Sequence, residues 1–180
     1  RDGAFAVSDL ILLAYRSQSA AFVGGAALAV LQQDAGTEAE DIVVVTRDAT
    51  GRVSVNQSTD LSTGQPLGGG RWGTMIGMLF LDQRKPVRGG KGLAVQLMEA
   101  GLDGTFLQAA GKSLQVGSAV VGLRVRLLGA AAVLDRIRAL KGEPKILQTR
   151  LDAATEEALT DMQAQIPEQV LRQQATDDLI

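Results

Sequence analysis

Ser8-Asp-Leu-Ile-Leu-Leu-Ala-Tyr15 is a short apolar run of strand length, continuous in the way expected for a strand that is buried on both faces of a sheet. Ser19 follows it as a candidate N-cap, and the apolar face that comes next predicts a helix to about Gln33. Asp41–Arg47 is rich in β-branched residues and has the pattern of a second strand. The beginning of the chain therefore predicts a strand, a helix and a strand in succession.

The same order of elements returns near the other end of the sequence. Ser118–Leu127 predicts a strand, Ala130–Leu140 a helix with one apolar side, and Lys145–Leu151 a last strand. Two β-α-β units predict an α+β fold, a ferredoxin-like sandwich. We expect one domain over residues 8–160, followed by a C-terminal helical tail over residues 161–180.

The connection between the two units holds additional elements. Val53–Thr59 alternates polar and apolar residues and predicts a β-hairpin with the strand before it. Residues 64–101 are rich in glycine, are broken by a charged stretch, and predict an inserted helical hairpin. Asp103 is expected to cap a short helix that follows, and Asp152 to cap the final helix.

Composition excludes several classes of function. The 180 residues include 18 basic and 20 acidic side chains, so no global positive field attracts nucleic acid. The sequence has no His and no Cys, which removes the commonest general base, the thiolate nucleophile and the usual metal ligands. We expect no enzyme activity, no cofactor, no metal and no nucleic-acid partner. Catalysis by two carboxylates alone stays open, although the sequence pairs none.

Charged residues recur in two groups that we interpret as structural. The basic group predicts a solvated patch on the sheet and consists of Arg47, Arg52, Arg124 and Arg126. The acidic group has helical spacing without a convergent partner, which favours capping and solvation over metal binding; it consists of Asp152, Glu156, Glu157 and Asp161.

Three glycines recur at four-residue spacing within Pro66–Leu81, namely Gly69, Gly73 and Gly77. Each glycine in a helix costs about 1 kcal/mol relative to alanine, whereas small residues at this spacing let two backbones approach closely. Apolar side chains lie beside them. We therefore predict a non-enzymatic protein that forms a homo-oligomer or joins a larger assembly through Gly69, Trp72, Gly73, Ile76, Gly77 and Phe80.

Two alternatives remain open for the glycine-rich segment and for the domain as a whole. The uninterrupted apolar stretch Trp72–Leu81 has ten residues, about half of what a helix needs to cross a bilayer. A re-entrant or interfacial hairpin would make the protein peripheral to a membrane. We therefore expect a cytoplasmic location if the segment binds protein and a membrane-associated one if it binds lipid. The other alternative, by analogy with ferredoxin-like domains, is a regulatory module that binds a small ligand.

The amino-acid sequences of several stretches resemble those of a bacterial family known as predicted membrane proteins, the domain-of-unknown-function 1269 family. The most specific of them is Trp72-Gly-x-x-x-Gly-x-x-Phe-Leu81; the others are Ser8–Tyr15, Asp41–Asp48, Gly51–Leu61 and Gly101–Phe106. The resemblance implies the fold and a membrane-prone glycine hairpin, and it implies no chemistry. The chain departs from the family in the second arm of the hairpin, which is interrupted by Arg84, Lys85, Arg88, Lys91 and Glu99.

Overall fold

The computed structural model of the chain describes residues 6–31, 42–50, 53–57, 71–80 and 92–165. Five strands lie in these ranges: β1 (Ala6–Tyr15), β2 (Ile42–Arg47), β3 (Val53–Gln57), β4 (Ala119–Arg126) and β5 (Lys145–Asp152). The same ranges hold six helices: α1 (Gln18–Leu31), α2 (Arg71–Met78), α3 (Leu93–Ala100), α4 (Gly104–Ser113), α5 (Leu127–Arg138) and α6 (Ala153–Gln165). The predicted α+β class is confirmed.

The five strands form one sheet in the order β3-β2-β4-β1-β5, and every neighbouring pair is antiparallel. Leu12 on β1 lies opposite Gly122 on one side and Leu147 on the other. The predicted β2–β3 hairpin is confirmed by the register Val45↔Val55. The first strand of the chain thus lies between the two strands that come last.

Helices cover both faces of this sheet, because the three inner strands, β2, β4 and β1, carry apolar residues on both sides. Leu10 and Leu12 pack in a core that includes buried residues of α2, α3, α4 and α6. Ile11 and Leu13 belong to a second core, on the other side, with buried residues of α1 and α5. The prediction that β1 is buried on both faces is therefore confirmed.

Capping side chains fix where two helices begin, as the sequence predicts. Asp103 accepts a hydrogen bond from the backbone N–H of Phe106 at 3.1 Å at the start of α4. Asp152 accepts one from the backbone N–H of Thr155 at 2.7 Å at the start of α6. This backbone donor holds the pKa of Asp152 below its ordinary value, because it stabilises the ionised carboxylate.

Gly122 on β4 allows α2 to pack close to the sheet. A Cβ atom at this position would lie 2.6 Å from the Cγ2 of Ile76 and 3.3 Å from a methyl group of Leu12. The Cγ2 of isoleucine is attached directly to a β-branched carbon and has little freedom to move away. The close helix–sheet approach therefore depends on a glycine in the sheet.

Within residues 64–101, the structure places two helices of eight residues each, α2 and α3. Residues 64–70 and 81–91 lie outside the described ranges, so the predicted hairpin connection stays a prediction. The predicted start of a separate tail at residue 161 falls inside α6, which continues to Gln165. Residues 166–180 also lie outside the described ranges.

Candidate functional site

The residues predicted for self-association occupy different environments. Ile76, Gly77 and Phe80 are buried in the core of the chain itself, where α2 packs on the sheet and against α6. Trp72 and Gly73 lie in the first turn of α2, and Gly69 lies outside the described residues. The backbones next to α2 in this structure therefore belong to the same chain.

An apolar pair does reach the surface within the same glycine-rich segment. Val95 and Met98 on α3 are 45% and 46% exposed, while Leu93 and Leu97 of this helix are buried. A spacing of three residues puts the exposed pair on one side of the helix. We call Val95 and Met98 the α3 apolar pair.

Glu156 on α6 joins the helix to two strands of the sheet. Its carboxylate accepts hydrogen bonds from Arg124 Nη1 at 3.1 and 3.2 Å and from the hydroxyl of Ser8. Arg126 Nη1 lies 4.0 Å from the same carboxylate. The prediction of a solvated Arg124 and of an acidic group without a convergent partner is wrong at these two positions. Arg124 shares a face of β4 with Gly122, and α6 covers that face.

Asp9 is a buried carboxylate on β1 that sequence analysis did not single out. Arg150 lies directly opposite on β5, with its Nε 3.6 Å from Asp9 Oδ1. Asp9 Oδ1 accepts no hydrogen bond from the described part of the chain. The pair is therefore a charge contact across two strands, and the cross-strand register is the only feature that locates it.

The hydroxyl of Tyr15 is buried at the end of β1 and has no hydrogen-bond partner among the described residues. It lies against the backbone of Gly24 on α1, where no side chain could fit. Burial raises the pKa of Tyr15, because removal from water disfavours the phenolate. The close packing of α1 on β1 thus leaves this hydroxyl without a hydrogen bond among the described residues, which costs free energy.

An open cleft of about 750 Å³ lies at the end of the sheet where β1 ends and β5 begins. Its walls include Tyr15 and Arg16 after β1, the turn at Gly142 and Glu143, and one side of α4. Gly142 and Glu143 both have positive φ angles, 97° and 43°, and the second is unusual for a residue with a side chain. A smaller depression of about 380 Å³ lies beside Glu156 at the opposite end.

Neither a metal site nor a membrane span is found in the described ranges. No group of three or more acidic residues there is arranged to hold a metal ion. None of the helices described, α2 and α3 included, has the length and apolar character needed to cross a bilayer.

More than half of the chain matches a known family of proteins. Residues 66–164, more than half of its length, match the model of a family described as "Protein of unknown function (DUF1269)". The chain belongs to the DUF1269 family. The DUF1269 match begins in the glycine-rich segment and ends in α6, so it contains the α3 apolar pair, Arg124 and Glu156. No curated protein and no solved structure matches the chain.

Proposed function

We propose that this DUF1269 protein is a non-enzymatic structural or interaction protein that self-associates through its glycine-rich segment. The observation that carries the proposal is the α3 apolar pair, two large side chains about half exposed on one face of a helix. Adjacent exposed apolar groups of this kind are typical of surfaces that bind another protein. A second copy of the chain would remove both side chains from water.

The two helices of the segment have different roles in this proposal. Ile76 on α2 and Phe80 just after this helix belong to the core of the chain, whereas α3 is buried on one side and exposes Val95 and Met98 on the other. Both helices contact α6, and this packing leaves the α3 apolar pair at the surface. Gly69, Trp72 and Gly73 stay in the proposed interface as residues that the sequence alone predicts.

We further propose that the fold is a ferredoxin-like sandwich with additions. The order β5-β1-β4-β2 with antiparallel neighbours supports this, because it arranges two β-α-β units so that each unit places one strand between the strands of the other. In this interpretation β3 is an added edge strand. Helices α2, α3, α4 and α6 are additions on the second face.

A structural role is also supported by the partners of the charged side chains. Arg124 pairs with Glu156, and Arg150 lies near Asp9, so each of these carboxylates faces a cation of the same sheet. The sequence supplies neither His nor Cys for acid–base or nucleophilic chemistry. Binding is therefore the role that the chain's chemistry favours.

Light scattering after size exclusion tests the proposal on the full chain. We expect a multiple of 18.9 kDa for the native sequence and a mass near 18.9 kDa when Val95→Gln and Met98→Gln are combined. Val23→Gln is the matched control, because Val23 is 69% exposed on α1 at the other face of the sheet. A native mass of 18.9 kDa, or equal loss of assembly with the control, would contradict the proposal.

A lipid surface could also contact the α3 apolar pair, and flotation with lipid vesicles distinguishes membrane binding from self-association. An apolar helix face can lie at the boundary of headgroups and acyl chains. A self-associating protein is expected to stay in the dense fractions. Flotation of the native chain, lost on combining Val95→Gln with Met98→Gln, would assign the surface to a membrane and reject self-association as its role.

A further inference from the structure

One face of α4 forms a polar wall of the 750 Å³ cleft. Thr105, Gln108 and Lys112 line the cleft and are spaced by three and four residues, which places them on one side of the helix. The opposite side of α4 is buried in the core through Phe106, Leu107 and Ala110. The helix therefore presents a hydroxyl, an amide and an ammonium group to the cleft from a fixed position.

The cleft carries an uncompensated positive charge. It is lined by three cations, Arg16, Lys112 and Lys145, and one carboxylate, Glu143, so three charges minus one leave a net +2. None of the three cations lies within 4.0 Å of a carboxylate oxygen in the described ranges. The whole chain has the opposite sign, −2.

Neutral donors accompany these charges. The side chains of Thr105 and Gln108 form no hydrogen bond within the described part of the chain, so both are free to donate. Ser113 and Gln115, by contrast, already donate to the backbone carbonyls of Ala110 and Lys112. Cations with unused neutral donors beside them match a group of several oxygens that shares a negative charge.

We propose that this cleft binds a small organic anion through its phosphate groups. An arginine can engage a phosphate through two parallel N–H groups, and lysines supply point charges around it. The volume of the cleft is within the range of about 300–1,000 Å³ that small-molecule sites occupy. The site shares no residue with the α3 apolar pair and does not depend on self-association.

Isothermal titration calorimetry on the full chain tests the proposal, with pyrophosphate and magnesium-free ATP as probes. Lys112→Gln and Arg16→Gln should each weaken binding about tenfold, the effect of losing one charge-assisted hydrogen bond. Glu143→Gln should tighten binding, because it removes the only negative charge among the lining residues. Added salt should weaken binding of both probes.

Lys141→Gln is the matched control, because Lys141 is exposed near the same turn and does not line the cleft. It changes the net charge as Lys112→Gln does, yet should alter the affinity by less than about twofold. Absence of binding for both probes, or equal losses for Lys141→Gln and Lys112→Gln, would overturn the proposal. Tighter binding of citrate than of pyrophosphate would overturn the assignment to phosphate. Masses from light scattering report self-association separately.

Discussion

Glu156→Gln isolates the contribution of one negative charge to the stability of the fold. Glutamine keeps the size of the side chain and one oxygen that can accept from Arg124 and Ser8. The change leaves the guanidinium of Arg124 without its carboxylate in a place where that side chain is 5% exposed, and Glu156 itself is only 17% exposed. Water therefore replaces little of the lost interaction.

The expected loss is about 3 kcal/mol in the free energy of unfolding, near the lower end for breaking a buried ion pair, because the glutamine oxygen retains one hydrogen bond. For a chain of this size, that corresponds to a drop of about 6–12 °C in the midpoint of thermal unfolding. Urea unfolding followed by circular dichroism measures the free energy directly.

Asp135→Asn provides the control for this measurement. Asp135 and Arg138 on α5 are 3.2 Å apart, nearly the same separation as the Arg124–Glu156 pair, but their side chains are 78% and 66% exposed. Breaking this solvated pair should cost less than about 0.5 kcal/mol. The comparison holds distance nearly constant and varies burial.

A double variant separates the ion pair from general disruption of packing. Combining Arg124→Met with Glu156→Gln removes the unpaired charge and should recover most of the loss, since a buried pair can often be replaced by apolar groups at little cost. The reasoning is refuted if Glu156→Gln costs no more than Asp135→Asn, or if the double variant is as unstable as the sum of the two single changes.

Two further predictions concern close packing. Gly122→Ala should lower the free energy of unfolding by about 2 kcal/mol in urea, because the new Cβ would lie 2.6 Å from the Cγ2 of Ile76. Adding Ile76→Ala should offset part of that loss. Unchanged stability of the Gly122→Ala variant would contradict the close approach of α2 to the sheet. Burial raises the pKa of Tyr15 in the folded protein, so as pH rises Tyr15 ionises first in the unfolded chain. Ionisation stabilises the unfolded state, and the free energy of unfolding should therefore fall above about pH 10. Tyr15→Phe should remove that alkaline loss without lowering stability at neutral pH, and a variant with the native alkaline profile would argue against a buried hydroxyl.

Local sequence patterns were sufficient to predict most of the elements. The continuous apolar run that ends at Tyr15 identified β1, and the positions of Asp103 and Asp152 identified the starts of α4 and α6. Such features depend on neighbours within a few residues, which the sequence displays directly. The order of the strands and the helices on the second face depend on contacts between distant parts of the chain.

Local patterns do not show contacts between distant parts of the chain, and this explains the errors at the candidate sites. Alternation along β4 places Arg124 on one face of the strand but does not say that α6 covers that face and brings Glu156 to it. The four-residue spacing of glycines indicated close backbone packing around α2, whereas the need for Gly122 became visible only across the helix–sheet contact. The cleft brings residues 14–16 together with residues between 105 and 145, and no sequence motif marks it.

The position of β1 in the sheet also affects folding during translation. β1 contains the first described residues, yet both of its neighbours come from the second half of the chain, with Tyr15 opposite Ala119 and Ala14 opposite Lys145. At the usual rates of translation, about 5–20 residues per second, this apolar segment waits several seconds outside the ribosome before its first neighbour emerges. During that interval the apolar side chains of β1 lack their native neighbours, and exposed apolar surface of this kind is prone to aggregation.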